Sequence, residues 1–361
     1  MSVNVSRENL VDYIKNIFEA KGMNTSDAEI SAKVLTAADA RGIPSHGVGR
    51  LWRYLGGLDK GVMKLDTEPS VIKETPNSIV IDARGVMGPP VSYRTMVKTL
   101  DKADAQGMAF SCVRDSNHFG IAGYYAMMAL ERDMIGFTMT NTAALGVPIF
   151  GRDVMFGTNP IAVAVPSNEE IPYCLDMSTT VVSRGKIEVY NRDEKTLPQG
   201  WAVNERGLSA SDPSELLEKM LVRAGGGILP LGGEGEMFGG HKGFGLAVLV
   251  DILCAVLSGA DFGPDVADSE ATSARVSHFF GAIKISRFRD PDLFKADMDQ
   301  MLRQLREARP AEGKERVYYA GLKEAESELL CSEKGVVLSD KVWTQITDFG
   351  KELGLGIPVI L

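Results

Sequence analysis

The chain reads first as helices, then as strands alternating with helices, then as helices again. In "SRENLVDYIKNIFEAKG" the apolar residues Leu10, Val11, Ile14, Ile17 and Phe18 fall on one stripe at helical spacing, and Gly22 ends the run. "SDAEISAKVLTAADARG" opens with Ser26 and Glu29 at capping-box spacing and stops at Gly42. A third helix is predicted to open with Ser45 as its cap and to run to Asp59. The middle alternates. "SIVIDA", "MAFSCVRD" and "IGFTMTN" read as strands, separated by the helices "PPVSYRTMVKTLDKADAQG" and "IAGYYAMMALERD". "IAVAVP", "YCLDMS" and "FFGAIKIS" are further strands, and "VVSRGKIEVYNRDE" and Gly243 to Leu257 further helices. "PDLFKADMDQMLRQLREA", "LKEAESELL" and "SDKVWTQITDFGKEL" return to helix.

That order predicts the α/β class, with strands that need not be parallel. Helices at both ends imply a discontinuous helical domain, residues 1–76 and 290–361, around an inserted α/β domain, residues 77–289. A length of 361 residues agrees with two domains.

Composition narrows the classes of function. The net charge of −9, from 39 basic and 48 acidic residues, argues against a nucleic-acid partner, which would favour an excess of Lys and Arg on one face. The longest apolar run, Phe244 to Gly259, is short for a membrane span and carries Asp251, so it reads as a buried helix. "MSVNVSRENL" lacks the apolar stretch of a signal peptide. Cys112, Cys174, Cys254 and Cys331 are scattered and read as free thiols in a reducing compartment, which points to the cytoplasm. No two histidines stand at metal-ligand spacing, so no metal site is expected.

Candidate chemistry gathers in four places. In "SHGVGRLWRY" a cap at Ser45 would make His46 the first helical residue, where the helix dipole disfavours imidazolium and keeps the ring neutral. Arg50 would share its face at i+4, with Arg53 one turn on. A base above a guanidinium suits a substrate with a carboxylate and an exchangeable proton. Gly47 and Gly49 each cost about 1 kcal/mol in a helix interior, and are expected to clear side chains from that face. In "SNHFGIAGYY", His118 lies between a strand and a helix, with Asn117 beside it to hold a carbonyl or an amide. "GGEGEMFGGHKGFG" runs into a helix and favours an anionic group near Lys242, yet matches neither a P-loop nor a Rossmann fingerprint. Asp176, at a strand end before Ser178, Thr179 and Thr180, could cap a helix, bind a ribose or orient a histidine. Asn159 precedes Pro160 and marks a turn. His278 reads as a strand residue without a role, and Asp251 as structural or at a subunit contact.

Taken in order, "ARGIPSHGVGR", "SNHFGIAGYY", "GTNPIAVAVP", "LDMSTTVVSRGKIE", "PLGG" and "GHKGFGLAVLVDIL" resemble the type-2 malate/L-lactate dehydrogenase family, with its ureidoglycolate, sulfolactate and diketogulonate relatives. The resemblance implies a cytoplasmic, usually dimeric oxidoreductase that binds NAD or NADP on a non-Rossmann fold with a mixed, largely antiparallel sheet. It implies hydride transfer to and from C2 of a small 2-hydroxy or 2-oxo acid, malate/oxaloacetate or L-lactate/pyruvate first. Relatives that reduce a cyclic imine carboxylate leave a second enzymatic reading, and a carboxylate- or nucleotide-binding protein without catalysis is the reading from another class. By the resemblance, His46 is the acid/base, or His118 as in the ureidoglycolate branch, and Arg50 holds the substrate carboxylate with Ser45 and Asn117 beside it. Thr142, Asn159, Asp176, Met177, Ser178, His241, Lys242, Gly243 and Gly321 would line the cofactor. Where family members carry Pro-Gly-Glu, this chain has "YYAGLKEAE", with Ala320 and Leu322 in the changed positions, and its stretch from Gly207 to His241 is long.

Overall fold

Short strands from the two ends of the chain pair with each other. In a computed structural model describing residues 2–269 and 273–361, β1 (Ser2–Val5) lies antiparallel to β11 (Val336–Ser339), with Val5 opposite Val336. After β1 come α1 (Arg7–Ala20) and α2 (Thr25–Ala40). Two single turns of 3-10 helix, Pro44–His46 and Val48–Arg50, then lead into α3 (Leu51–Asp59). The stripe foreseen on α1 is buried as Leu10, Ile14, Ile17 and Phe18, joined by Tyr13. Helix α2 is capped differently from expectation. The Asn24 side chain accepts the Asp27 N–H at 3.0 Å, and the helix has begun by Thr25, so Ser26 is inside it. Either residue type can cap; Asn24, in the extended conformation a cap requires, takes the position.

The centre of the chain is β2 (Ser70–Thr75), β3 (Ser78–Asp82), α4 (Gly88–Gln106), β4 (Met108–Ser116), α5 (Ala122–Met127), β5 (Met134–Thr140), β6 (Ile161–Val165) and β7 (Tyr173–Met177). Then follow α6 (Arg184–Arg192), β8 (Ala202–Val203), α7 (Pro213–Leu221), β9 (Gly227–Ile228), α8 (Gly240–Asp251) and β10 (Val276–Lys284). The long stretch after Gly207 is thus built as α7 and β9. Helices α9 (Pro291–Arg306), α10 (Leu322–Lys334) and α11 (Asp340–Glu352) complete the order around β11.

Seven strands form one sheet in the order β2-β3-β4-β10-β5-β6-β7. Only β3 and β4 run parallel, across α4, and every other pair is antiparallel. Strand β10 inserts between β4 and β5 and is buried from Val276 to Ala282, which is why it reads as a nearly unbroken apolar run. Helices α4 and α5 cover one face of the sheet, where Val91, Met96, Tyr125 and Phe280 pack. A second core joins Phe18, Leu51 and Tyr54 to Leu338 and Ile346, so both chain ends share it. Helix α2 serves both cores, with Val34 in the first and Leu35 in the second. The segment after α2 therefore leaves from a junction fixed on two sides.

Candidate active site

The "SHGVGR" segment is not the opening of a long helix. Gly47, with φ −85° and ψ −158°, is extended and separates the two 3-10 turns, and α3 starts only at Leu51. Ser45 caps nothing; its Oγ is 2.9 Å from His46 Nδ1. The helix-dipole argument for a neutral His46 therefore fails. The correct cause is burial, with the Arg50 guanidinium second, and together they push its pKa from 6.5 to about 4. Arg50 donates from Nε to the Ser45 carbonyl at 2.7 Å, which fixes its base against the same loop. No other hydrogen bond or ion pair of Arg50 occurs among the described residues.

The glycines serve a different purpose from the one expected. A β-carbon on Gly47 would stand 2.1 Å from Asp39 Oδ1, and one on Gly49 3.2 Å from Val342 Cγ2. They let the loop lie down on α2 and α11 rather than clear the side facing the histidines. Asp39, buried on the last turn of α2, accepts the Val48 N–H at 2.7 Å. Burial raises its pKa from 3.8 to about 7, opposed by that one N–H.

His118 meets this loop from the end of β4. Its ring stacks on His46 with centroids 5.5 Å apart and planes at 23°. The Tyr54 hydroxyl, fully buried in the second core, is 2.6 Å from His118 Nδ1, and the Gly120 N–H donates to the same nitrogen at 3.3 Å. Burial lowers the His118 pKa well below its ordinary value, and the charges of Arg53 and Arg50 act the same way. Both rings are therefore neutral at pH 7. Behind them Phe119 stacks on His278 at 4.4 Å, and His278 is held by Thr140 Oγ1 at 2.8 Å and Ser116 Oγ at 2.9 Å. His278 lies on β10 as expected, buried with both ring nitrogens bonded.

Asn117 faces away from the histidines. Its amide donates to the carbonyls of Gly85 and Val86 at 2.9 and 2.8 Å, pinning the loop before α4. Asp176 likewise touches neither ring. Its Oδ2 accepts the Gly123 N–H at the start of α5, at 2.7 Å, so the hydrogen-bond partners of the two rings are Tyr54 and Gly120 at His118 and Ser45 at His46. Loss of water around the carboxylate raises the Asp176 pKa from 3.8 to about 6, opposed by the Gly123 N–H, although the residue keeps an exposed face.

The remaining expected residues gather at the ends of β5, β6 and β7. Thr142 Oγ1 accepts the Thr158 N–H at 2.9 Å. Asn159 is fully buried and spends its amide on the Ala247 carbonyl and Asp251, while Oδ1 accepts the Thr142 N–H, so it is a buttress beneath Thr142. Met177 and Ser178 follow Asp176 off β7, and Ser178 Oγ donates to the Thr180 carbonyl. The Leu231 N–H then bonds the Thr179 carbonyl, and Gly243 packs so closely that its β-carbon would be 2.1 Å from the Leu231 carbonyl oxygen. That contact brings the first turn of α8, with exposed His241 and Lys242, beside the β7 end. Gly321, at φ +92°, backs onto Cys174 of β7. A pocket of about 250 Å³ lies there, lined by Arg41, Asp176, Tyr318 and Gly321 among others. Exposed Asp176 and Lys242 and the hydroxyl of Ser178 offer a ribose and a phosphate the groups they need, so these residues fit a dinucleotide. Among the described residues no cluster of His, Cys, Asp and Glu could hold a metal ion.

A paired, neutral imidazole site on a largely antiparallel sheet can be set beside known proteins. The malate/L-lactate dehydrogenase pattern matches residues 5–347. The chain belongs to that family. It is 38% identical over 353 residues to the malate dehydrogenase of Pyrococcus horikoshii, covering 98% of this chain and 96% of the relative. It is 34% identical to the L-sulfolactate dehydrogenase of Methanocaldococcus jannaschii, with 97% of each covered. The crystal structure of malate dehydrogenase from Entamoeba histolytica superposes with a TM-score of 0.95 at 32% identity, covering 99% of this chain and 100% of that one. The chain is thus a dehydrogenase of the malate/lactate type that uses a nicotinamide cofactor.

Two residues of this site escaped the sequence reading. Asp39 sits in "TAADARG", where it looks like an ordinary polar position of an amphipathic helix. Tyr54 falls on the apolar stripe of α3, and nothing local marks its hydroxyl as aimed at a histidine 64 residues away.

Proposed function

We propose that this enzyme moves a hydride reversibly between nicotinamide and C2 of a small 2-hydroxy or 2-oxo acid, malate/oxaloacetate or L-lactate/pyruvate. The observation that carries this reading is the stacked pair of neutral histidines beside Arg50, a guanidinium without a carboxylate partner among the described residues. Bound NAD or NADP supplies or receives the hydride. Arg50, tied through Nε, keeps both Nη groups for the substrate carboxylate and fixes which face of C2 is presented.

The two rings divide the work by their hydrogen bonds. At His118 the Gly120 N–H makes Nδ1 an acceptor, which puts the proton of the neutral ring on Nε2. His118 then donates that N–H to the C2 oxygen and stabilises charge there. At His46, Nδ1 lies 2.9 Å from Ser45 Oγ, and the base role requires the tautomer that donates Nδ1–H to that hydroxyl, with Nε2 free to take the hydroxyl proton. In reduction His46 returns it. Thr142, Asp176, Met177, Ser178, Lys242 and Gly321 are assigned to the cofactor, with Lys242 toward its phosphates.

Three further assignments go with this reading. The chain divides into a helical domain from both ends and an inserted cofactor domain, supported by the two separate cores. It works as a homodimer, because Val248, Leu249, Ile252 and Val256 line an exposed apolar face along α8 and the π-helical turn Ile252–Val256 that extends it. It resides in the cytoplasm, where its four free cysteines stay reduced.

The deciding experiment is a panel of 2-oxo acids and a cyclic imine carboxylate with NADH and with NADPH, followed at the nicotinamide absorbance. His46→Asn should lower turnover about 100-fold or more with cofactor affinity kept. Turnover of the imine alone, or near-normal turnover of His46→Asn, defeats the substrate or the base assignment respectively.

A further inference from the structure

Arg50 has a second guanidinium for a neighbour. Arg53 stands three residues on, at a spacing that puts β-carbons about 5–6 Å apart on one helical face. Both cations act on His118. Their partners differ. Among the described residues Arg50 holds only a backbone carbonyl, whereas Arg53 Nη2 already holds a carboxylate, Asp268, at 3.2 and 3.5 Å. Asp268 comes from the segment between α8 and β10, and its Oδ1 also accepts the Ala274 N–H at 3.0 Å. Arg184, the other arginine close enough to affect Arg50, pairs through Nε with Glu188 on its own helix at 2.9 Å.

We propose that Arg53 reads a second anionic group on the substrate, a carboxylate or sulfonate on C3, which takes the place of Asp268 while Arg50 holds the C1 carboxylate. The inference rests on the 2-oxo acid reading above and narrows it to diacids. Three features support the exchange. The two arginines leave the chain three residues apart, and the charge of each acts on the His118 ring. The Arg53–Asp268 pair is half-exposed, with the two side chains 33% and 54% accessible, and such a pair is weak and readily exchanged. Asp268, once released, keeps the Ala274 N–H and is not left without a partner. A monoacid leaves the ion pair in place and gains nothing from Arg53.

The test compares oxaloacetate with 2-oxobutyrate, which has the same carbon chain without the distal charge, in the full-length wild type and three variants. Wild type should favour oxaloacetate by about 30-fold or more in kcat/KM. Arg53→Gln should erase that preference through KM for oxaloacetate and leave 2-oxobutyrate within about threefold, and Arg53→Lys should restore part of it. Asp268→Asn, which weakens the competitor, should lower KM for oxaloacetate severalfold and leave 2-oxobutyrate unchanged. Equal losses on both substrates in Arg53→Gln, or a wild type that turns both over equally well, overturn the inference while the oxidoreductase reading stands. A wild type that reduces no 2-oxo acid removes both.

Discussion

Adding one methyl group at Gly47 should dismantle the site without touching a histidine. The backbone there is extended, with φ −85° and ψ −158°, so alanine meets no conformational penalty and the cost is purely steric. Its β-carbon would lie 2.1 and 2.2 Å from the carboxylate atoms of Asp39, which is buried at the end of α2 and held there by the Val48 N–H. Two costs follow. Overpacking a close-packed site takes about 1–3 kcal/mol. Loss of the 2.7 Å bond from Val48 N–H to Asp39 adds about 1.5–3 kcal/mol, because a buried acceptor loses its donor. Gly47→Ala should therefore destabilise by about 3–5 kcal/mol. It should also lower kcat/KM steeply, since His46 and Arg50 ride on the displaced loop. The assay is a double-mutant cycle with Asp39→Ala, read by urea unfolding. With the carboxylate gone, the same glycine replacement should cost under about 1 kcal/mol, a coupling of about 2 kcal/mol or more. Equal costs in the two backgrounds would refute the claim that Asp39 is what the glycine accommodates.

Other consequences are as direct. Tyr54→Phe removes the hydroxyl 2.6 Å from His118 and should lower kcat/KM about tenfold with little loss of fold, because Gly120 still donates to the ring; unchanged kinetics would show the contact to be idle. The acid limb of kcat/KM for hydroxy-acid oxidation should fall at pH about 4, where His46 titrates, rather than at the ordinary histidine 6.5. A base must be neutral, so activity is lost as pH drops through that value, and a limb near 6.5 would place the base elsewhere. Asp39, with its folded pKa raised to about 7 from 3.8, favours the fold fully below pH 3.8 and loses that contribution as pH rises through 7. Asp39→Asn should flatten the decline in melting temperature between pH 4 and 8, a difference of up to about 4 kcal/mol; parallel curves for the two proteins would exclude it.

Most of the fold was legible because its elements carry their own periodicity. The stripe on α1 and the alternation through β3 to β7 state their type within a window of ten residues. What stayed hidden is mostly defined by distant partners, α7 excepted, whose Asp212 cap and Pro213 are local signals. Strands β1 and β11 are four residues each and exist by pairing with each other, and β2 is an edge strand whose side chains are mostly exposed, so none shows a strong pattern. The site divided in the same way. His46, Arg50 and His118 stand in marked motifs and the fold brings them together. Asn117, Asn159 and Asp176 stand in equally marked motifs, yet their hydrogen bonds run to the scaffold. A motif shows that a backbone position is special; whether its side chain faces a ligand is decided by which neighbour reaches it first.

The electrostatics of the pair make a further demand, on when the proton arrives. In the free protein His46 is held neutral by burial and then by Arg50, so it is ready to accept a proton and unready to donate one. Oxidation can begin from this state and reduction cannot. A substrate carboxylate on Arg50 cancels the second of those causes and leaves only the first, so binding must raise the His46 pKa. Binding of an oxo acid to the cofactor-loaded enzyme should therefore draw protons from solution at pH 5–6, and binding of the cofactor alone should draw none. A weakly buffered indicator-dye titration with oxamate, an unreactive carboxylate, reads this directly. The uptake should vanish in Arg50→Ala, which already lacks the cation, and in His46→Asn, which lacks the base. Uptake that persists in both variants would mean the proton is held elsewhere, and His118, with Arg53 and Arg50 both acting on it, would be the group to test next.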